Sequence, residues 1–364
     1  MIVDLGLPSI HFDCRGTLKN QDRPPARIST NLIVLIIAVA FFAVFLEAAV
    51  RLVFAHSLDF SMEMWKYAVE LKRPVADPRL SFVHAPNRSA FLMGVQVSTN
   101  SHGLRDREYS ESKPPDTYRI VMLGDSTTLG WGDPQDQTIP KILERELNQS
   151  GLPGFRNCEV LNAGVGNYDT VQEVEHYRLY DRAFHPDLVI LDYFINDAEP
   201  VPIERHTALL SRSYLAAFAI ARYDALLQFA GLRPKWNEYY AGLYADGRPG
   251  WIAAQAALGT LAEMTTADRA ALLVTIIPEL HQINGSYPFN HEQQKIKDIL
   301  AAKKVPVIDL IDGLRGHGPE NTLWATPTDP HPNAQANALI AAQIVPWILE
   351  NLRARNALPP SALE

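Results

Sequence analysis

Cysteine is almost missing from this chain of 364 residues, which carries only Cys14 and Cys158. The two fall on opposite sides of a long apolar run, so neither a disulfide framework nor a cysteine metal site can be drawn from them. Basic blocks are missing as well. With a formal net charge of -8 and no run of lysine or arginine, nucleic acid is excluded as the main partner. No second histidine stands at ligand spacing from His331, because His281 and His291 lie in a separate segment, and no metal or organic cofactor is implied. Apolar residues are not scarce. At 47% of the chain they can build the core of one large or two smaller domains, which excludes disorder for most of the sequence.

The one long apolar run is Leu32 to Leu46, closed by Glu47. As a helix it rises only about 22 Å against a hydrocarbon core of about 30 Å, so a spanning helix must continue to roughly Phe54. Glu47 and Arg51 then stand four apart, acid before base, in the favourable helical order. Lys19, Arg23 and Arg27 precede the run, whereas Arg51 is the only strong positive charge immediately near its other end. That asymmetry keeps the tail in the cytoplasm and puts everything after about residue 55 on the periplasmic or extracellular side of a bacterial-type inner membrane. A cleaved signal peptide is the rival reading, with a long polar leader and a charged cleavage zone against it. The expected organisation is a cytoplasmic tail (1–31), an anchor (32–54), a linker and packing segment (55–115), a main domain (116–352) and a C-terminal tail (353–364).

Residues 57–115 mix proline, charge and short apolar pieces with no sustained period. His102 and Arg105 are expected there as structural turn and surface residues, with a place in the lining of the site as the alternative. From Tyr118 the pattern alternates. Strands are predicted at 118–123, 158–161, 187–194, 271–277 and 305–310, with helices near 140–147, 170–183, 251–264, 292–303 and 333–352. Five strands separated by helices predict an α/β fold, a flavodoxin-like parallel sheet with helices on both faces. An insertion at about 198–250 interrupts it with a helix over 209–229 and the aromatics Trp236, Tyr239, Tyr240 and Tyr244. Both a lid and simple burial of the insertion are open for it.

Four short blocks fall where such a fold collects ligands, at the carboxyl ends of strands and in the last loop. Gly124-Asp125-Ser126 ends the first strand and exposes a hydroxyl on a tight turn; Asp125 or Ser126 as a helix cap is the structural alternative. Gly164-Val165-Gly166-Asn167 follows the second strand, and an amide N–H of Gly166 or Asn167 can meet a developing oxyanion. Asn196-Asp197 follows the third; the Asn196 amide can donate to the same oxyanion, and Asp197 is expected to cap the next segment. In Thr328-Asp329-Pro330-His331-Pro332 both Asp329 and His331 precede proline, which favours extended chain. Side chains two apart then share a side, so Asp329 can orient His331 as a nucleophilic serine requires.

Together these blocks resemble the SGNH branch of the GDSL hydrolases, over about residues 116–350. The resemblance implies a serine esterase or acyltransferase with Ser126 as nucleophile and His331 as base. Three departures stand out: Asp and His are separated by one residue rather than two, with Thr328 at the usual Asp position; the oxyanion glycine aligns with either Gly166 or Asn167; and Phe194 replaces the glycine before Asn-Asp. The expected function is hydrolysis of a small acyl ester, acetyl above all, on a cell-envelope glycan, with a lipid or a small ester as the open substrate alternatives. O-acyl transfer to a glycan hydroxyl, fed by a membrane acyl-donor protein, and a catalytically silent glycan-binding scaffold are the alternatives.

Overall fold

A computed structural model of the chain describes residues 30–202 and 212–357, with only the backbone of 355–357. The N-terminal tail with Cys14, the start of the expected insertion helix at 209–211 and the end of the C-terminal tail lie outside the described residues. The chain divides into two units, Met1–Ala48 and Ala49–Glu364.

Helix α1 (Thr30–Phe54) covers the expected anchor, and none of its side chains is buried. Its 25 residues rise about 37 Å, more than the roughly 30 Å of a hydrocarbon core. By length and composition it is compatible with a signal anchor or a single-pass span.

The segment after it is more ordered than its sequence suggests. Helix α2 (Phe60–Leu71) starts at Asp59, whose carboxylate accepts Met62 N–H at 3.1 Å. Strands β1 (Lys72–Pro74) and β2 (Phe82–His84) pair antiparallel, as do β3 (Ser89–Leu92) and β4 (Val95–Ser98). The sequence does not announce this helix because its buried face is not purely apolar. Glu63 and Lys66 are buried beside Met62, Tyr67 and Leu71. They pair at 2.8 Å, and Glu63 also accepts Met93 N–H at 2.7 Å. A paired charge can occupy a core-facing position, and it interrupts the apolar period that would have announced the helix.

The main domain follows the predicted alternation. It contains β5 (Thr117–Leu123), α3 (Ser126–Leu129), α4 (Ile139–Ser150), β6 (Asn157–Asn162), α5 (Thr170–Leu179) and β7 (Leu188–Tyr193). The insertion contributes α6 (Tyr214–Phe229) and α7 (Trp236–Leu243) before α8 (Pro249–Ala267), β8 (Ala271–Ile276), α9 (Asn290–Ala302) and β9 (Val307–Asp309). A small hairpin of β10 (Trp324–Thr326) and β11 (Asp329–Pro332) leads into α10 (Ala334–Ala357). Strands β5 to β9 form one parallel sheet in the order β6-β5-β7-β8-β9. All seven residues of β5 and all six of β7 are buried, as expected of central strands covered on both faces. Helix α4 packs on α10, and α5 on α8.

Helix α5 stops at Leu179 rather than near Ala183, and a 3-10 turn, Asp181–Phe184, completes the segment. There Asp181 turns inward to meet His176 Nδ1 at 2.7 Å, a bond that straight continuation of the helix would not make. The strand order reverses around β5, the first strand of the sheet. In open α/β sheets that reversal leaves a crevice at the carboxyl ends of the strands, and Ser126 follows β5 directly.

Candidate active site

The turn carrying Ser126 is held from several directions. Asp125 caps α3, accepting Thr127 N–H at 2.8 Å and Thr127 Oγ1 at 2.9 Å. The cap is Asp125, and Ser126 follows it as the first helical residue, buried rather than exposed. Its own N–H belongs to the first helical turn, where no intrahelical acceptor exists. Thr128 Oγ1 donates to Asp192 of β7 at 2.5 Å, and Thr275 of β8 donates to the other oxygen of that carboxylate. Burial pushes Asp192 up to about 7, against these two hydrogen bonds.

Arg105 is the clearest correction to the sequence reading. Instead of lying on the surface it is fully buried, and its guanidinium donates to the carbonyls of Leu129 (2.8 Å), Gly130 (2.5 Å) and Asp133 (2.5 Å). A planar five-donor fork can collect three carbonyls that converge on it at the end of a short helix, and it locks the turn from behind. His102 does remain exposed, edge-on to Phe184.

Ser126, His331 and Asp329 meet in one chain of contacts. Ser126 Oγ lies 2.9 Å from His331 Nε2, and His331 Nδ1 lies 2.6 Å from Asp329 Oδ1. The same carboxylate accepts the backbone N–H of His331 at 3.1 Å and Trp131 Nε1–H at 3.1 Å. Strand β11 supplies the extended backbone that the two prolines favour, and Thr328 in its turn is exposed. The one-residue spacing therefore suits an extended chain. Nδ1 donates to the carboxylate, which leaves Nε2 as the acceptor facing the serine hydroxyl. Burial pulls the His331 pKa down, but the Asp329 hydrogen bond and charge, with Asp125 and Glu279, outweigh it and the net shift is upward. Phe60 of α2 stacks on the His331 ring at 5.7 Å. Neither Phe60 nor Trp131 carried a local sequence signal, because their roles depend on long-range packing.

The glycine-rich loop after β6 packs directly against α3. A Cβ on Gly164 would collide with the backbone of Thr128 and Leu129, so only glycine permits this approach. Of the two amides expected at an oxyanion, Gly166 N–H is already engaged: it donates to Tyr67 Oη at 2.8 Å. Tyr67 in turn faces His84 Nε2 at 2.6 Å, and His84 Nδ1 faces the Gly103 carbonyl at 3.0 Å. Burial, then the charge of Lys72, holds His84 near 3, so it is neutral; Nδ1–H donates to the carbonyl and Nε2 accepts from tyrosine. Tyr67 thereby keeps its oxygen for the Gly166 amide. No acceptor is paired with the Asn167 amide among the described residues, and Asn167 has φ 65°. Asparagine tolerates that left-handed conformation better than most residues. Of the two amides, only that of Asn167 is left without a paired acceptor among the described residues.

Asn196 Nδ2 donates to Asp125 Oδ2 at 3.2 Å. An amide nitrogen carries two hydrogens, so the second stays available. Asp197 does not cap a following helix. It is buried in a short turn, Ile195–Ala198, and accepts Thr170 Oγ1 at 2.9 Å. Beneath it Glu173 is buried with no hydrogen-bond partner for either carboxylate oxygen among the described residues. Burial first, then the negative charges of Asp197, Asp125, Asp169 and Asp192, raises Glu173 well above the usual carboxyl range. A carboxyl whose folded pKa is raised binds its proton more tightly in the folded state. Stability from it is lost as pH climbs from the ordinary carboxyl range toward the folded value. Glu173→Gln should therefore flatten the decline of the melting temperature between pH 5 and pH 8, by about 2–4 °C for each kcal/mol relieved. Parallel slopes for variant and parent would contradict a protonated Glu173.

A cleft of about 260 Å³ opens beside His331 and Thr127, the residue after Ser126, and is lined also by Phe60, Phe194, Trp236 and Tyr240 among others. The aromatics of the insertion thus divide by position. Trp236 and Tyr240 face this cleft, whereas Tyr244 is buried and hydrogen-bonds the Ile195 carbonyl at 3.0 Å.

A five-stranded parallel α/β sheet with a serine–histidine–aspartate array at its carboxyl edge defines a hydrolase-like class of protein. Residues 122–339 match the GDSL-like lipase/acylhydrolase family, and the chain belongs to it. Esterase chemistry is what that family implies. No curated protein sequence matches the chain. Among solved structures it is similar to TesA, with 17% identity over 64% of this chain and 99% of that one and a TM-score of 0.41. It is also similar to Axe2, an acetylxylan esterase from Geobacillus stearothermophilus (14% identity, 64% and 94% covered, TM-score 0.42). A third similar structure is a two-domain esterase active on acetylated mannans (16% identity, 65% and 50% covered, TM-score 0.41).

Proposed function

We propose that the chain is a membrane-anchored serine esterase that removes a small acyl group, acetyl in our reading, from a cell-envelope glycan on the outer side of the cytoplasmic membrane. The observation that carries this reading is the contact of Ser126 Oγ with His331 Nε2 at 2.9 Å, backed by Asp329 at 2.6 Å. Ser126 attacks the ester carbonyl while His331 takes its proton. His331 then returns that proton to the departing alcohol, leaving an acyl-enzyme that water cleaves by the same route. The N–H groups of Ser126 and Asn167 and the Asn196 amide bind the oxyanion, and each such donor is typically worth about two to three orders of magnitude in rate.

The size of the cleft supports a short acyl chain, since 260 Å³ is below the roughly 300–1,000 Å³ of sites for larger ligands. The link to a membrane has its own support. Phe60, stacked on His331, comes six residues after Phe54, the last residue of α1. Six residues of chain reach at most about 20 Å, so an inserted α1 would tether the cleft close to the bilayer. Acyl transfer to a glycan hydroxyl, with a membrane donor protein, is the second reading. The aromatic wall of Phe60, Phe194 and Trp236 favours it by limiting access of water to the acyl-enzyme.

Detergent-solubilised protein should hydrolyse p-nitrophenyl acetate at least tenfold faster, in kcat/KM, than p-nitrophenyl octanoate, and should react with a fluorophosphonate probe. Equal rates on both esters would remove the short-chain assignment. Failure to hydrolyse either ester together with failure to react would remove the esterase. Accumulation of an acetylated sugar from an added sugar acceptor would instead select transfer.

A further inference from the structure

The cleft contains a second histidine–carboxylate pair built like the first. Pro278-Glu279-Leu280-His281 follows β8, whose carboxyl end adjoins that of β7. Glu279 Oε1 lies 2.5 Å from His281 Nδ1, and Glu279 Oε2 accepts the His281 backbone N–H at 2.9 Å. This is the pattern of Asp329 and His331, an acid and a histidine two apart with the acid accepting both Nδ1–H and the backbone N–H. Glu279 is buried, and both members line the same cleft as His331.

The acid fixes the tautomer. With Nδ1–H given to Glu279, the tautomer that this bond selects presents Nε2 as an acceptor, and among the described residues no group is paired with it. Two tryptophans hold the ring in position, Trp236 at 5.1 Å and Trp324 at 4.6 Å between centroids. Trp236 and Tyr240 also border the cleft. An oriented acceptor beside aromatic faces suits a ligand with hydroxyls on its rim and C–H groups on its face, because dispersion rewards the flat contact and the hydroxyl fixes its direction. A long acyl chain would use the aromatic faces but would have no use for the acceptor.

We propose that Glu279 and His281 form a hydroxyl-recognition site for the alcohol part of the substrate, with His281 Nε2 accepting a hydrogen bond from a sugar hydroxyl near the ester. This deepens the esterase reading and rests on it for the position of the ester. Glu279 is the positioning residue. His281 is a specificity residue that touches the sugar, and it takes no part in the transfer of the serine proton.

The test compares a mono-O-acetylated methyl glucopyranoside with p-nitrophenyl acetate, whose leaving group has no additional hydroxyl. In His281→Ala the ratio of kcat/KM for the sugar ester to that for p-nitrophenyl acetate should fall about tenfold, mainly through KM, as loss of one hydrogen bond to a half-buried acceptor predicts. His281→Gln, whose amide oxygen can accept, should recover part of the ratio. An equal loss on both substrates would mark His281 as structural and overturn the proposal. Binding is read separately in Ser126→Ala by tryptophan fluorescence with the same sugar ester. Adding His281→Ala should raise Kd about tenfold, and an unchanged Kd overturns the proposal even if the parent protein hydrolyses nothing. Failure of the esterase reading alone would leave that binding difference intact.

Discussion

Ser126→Ala is expected to lower kcat on p-nitrophenyl acetate by about five to six orders of magnitude, the scale seen when a nucleophilic serine is removed. The geometry makes the expectation specific. Ser126 Oγ is the only serine oxygen within hydrogen-bond distance of the His331 ring among the described residues, and Asp125 caps the helix through Thr127, taking only a long 3.5 Å contact from the Ser126 hydroxyl. Folding should consequently be unaffected, and the melting temperature serves as the control. Combining Ser126→Ala with His331→Ala should cost little more than either change alone, because the two act as one unit. A Ser126→Ala enzyme within tenfold of its parent would sink the assignment of Ser126 as nucleophile.

Asp329→Asn is expected to cost about four orders of magnitude in kcat while leaving the fold in place. Asparagine is the same shape, but it can accept only through its oxygen. The wild-type carboxylate accepts from three donors: His331 Nδ1–H, the His331 backbone N–H and Trp131 Nε1–H. If the asparagine oxygen turns to Trp131, its NH2 faces Nδ1 and enforces the wrong tautomer, with the proton on Nε2 pointing at the serine. A base carrying a proton cannot accept another. The pH profile provides an independent reading. His331 must be neutral to act, and the net effect of burial, opposed and outweighed by Asp329, Asp125 and Glu279, is to raise its pKa. In the parent, kcat/KM should accordingly rise with pH through an inflection above the ordinary histidine value of about 6.5. In Asp329→Asn the residual activity should show that inflection at lower pH, because the charge that favoured imidazolium is gone. An inflection that stays where it was would mean that Asp329 does not govern His331.

Much of this site could be read before any coordinates, for local reasons. A strand covered on both faces must be apolar throughout, so β5 and β7 were visible as runs, and their carboxyl ends marked where function should collect. The relation of Asp329 to His331 was also local. Two prolines bias the backbone toward the extended form, and extended chain puts alternate side chains together. The four blocks and their order carried the family.

What the sequence could not specify was whatever depended on residues distant along the chain. Arg105 looked like an exposed turn residue because an arginine is usually solvated, and only the three converging carbonyls of the Leu129–Asp133 bend make its burial favourable. The amides of Gly166 and Asn167 look equivalent in sequence, and only the packing of Tyr67, from a helix whose period is masked by the Glu63–Lys66 pair, engages the Gly166 amide. The pairing of Glu279 with His281 is local, but its presence in the cleft is not. Composition and periodicity determine which segments form elements and which faces they bury; which polar groups are left to meet a ligand is decided by tertiary packing, since a donor is available only when no neighbour has already satisfied it.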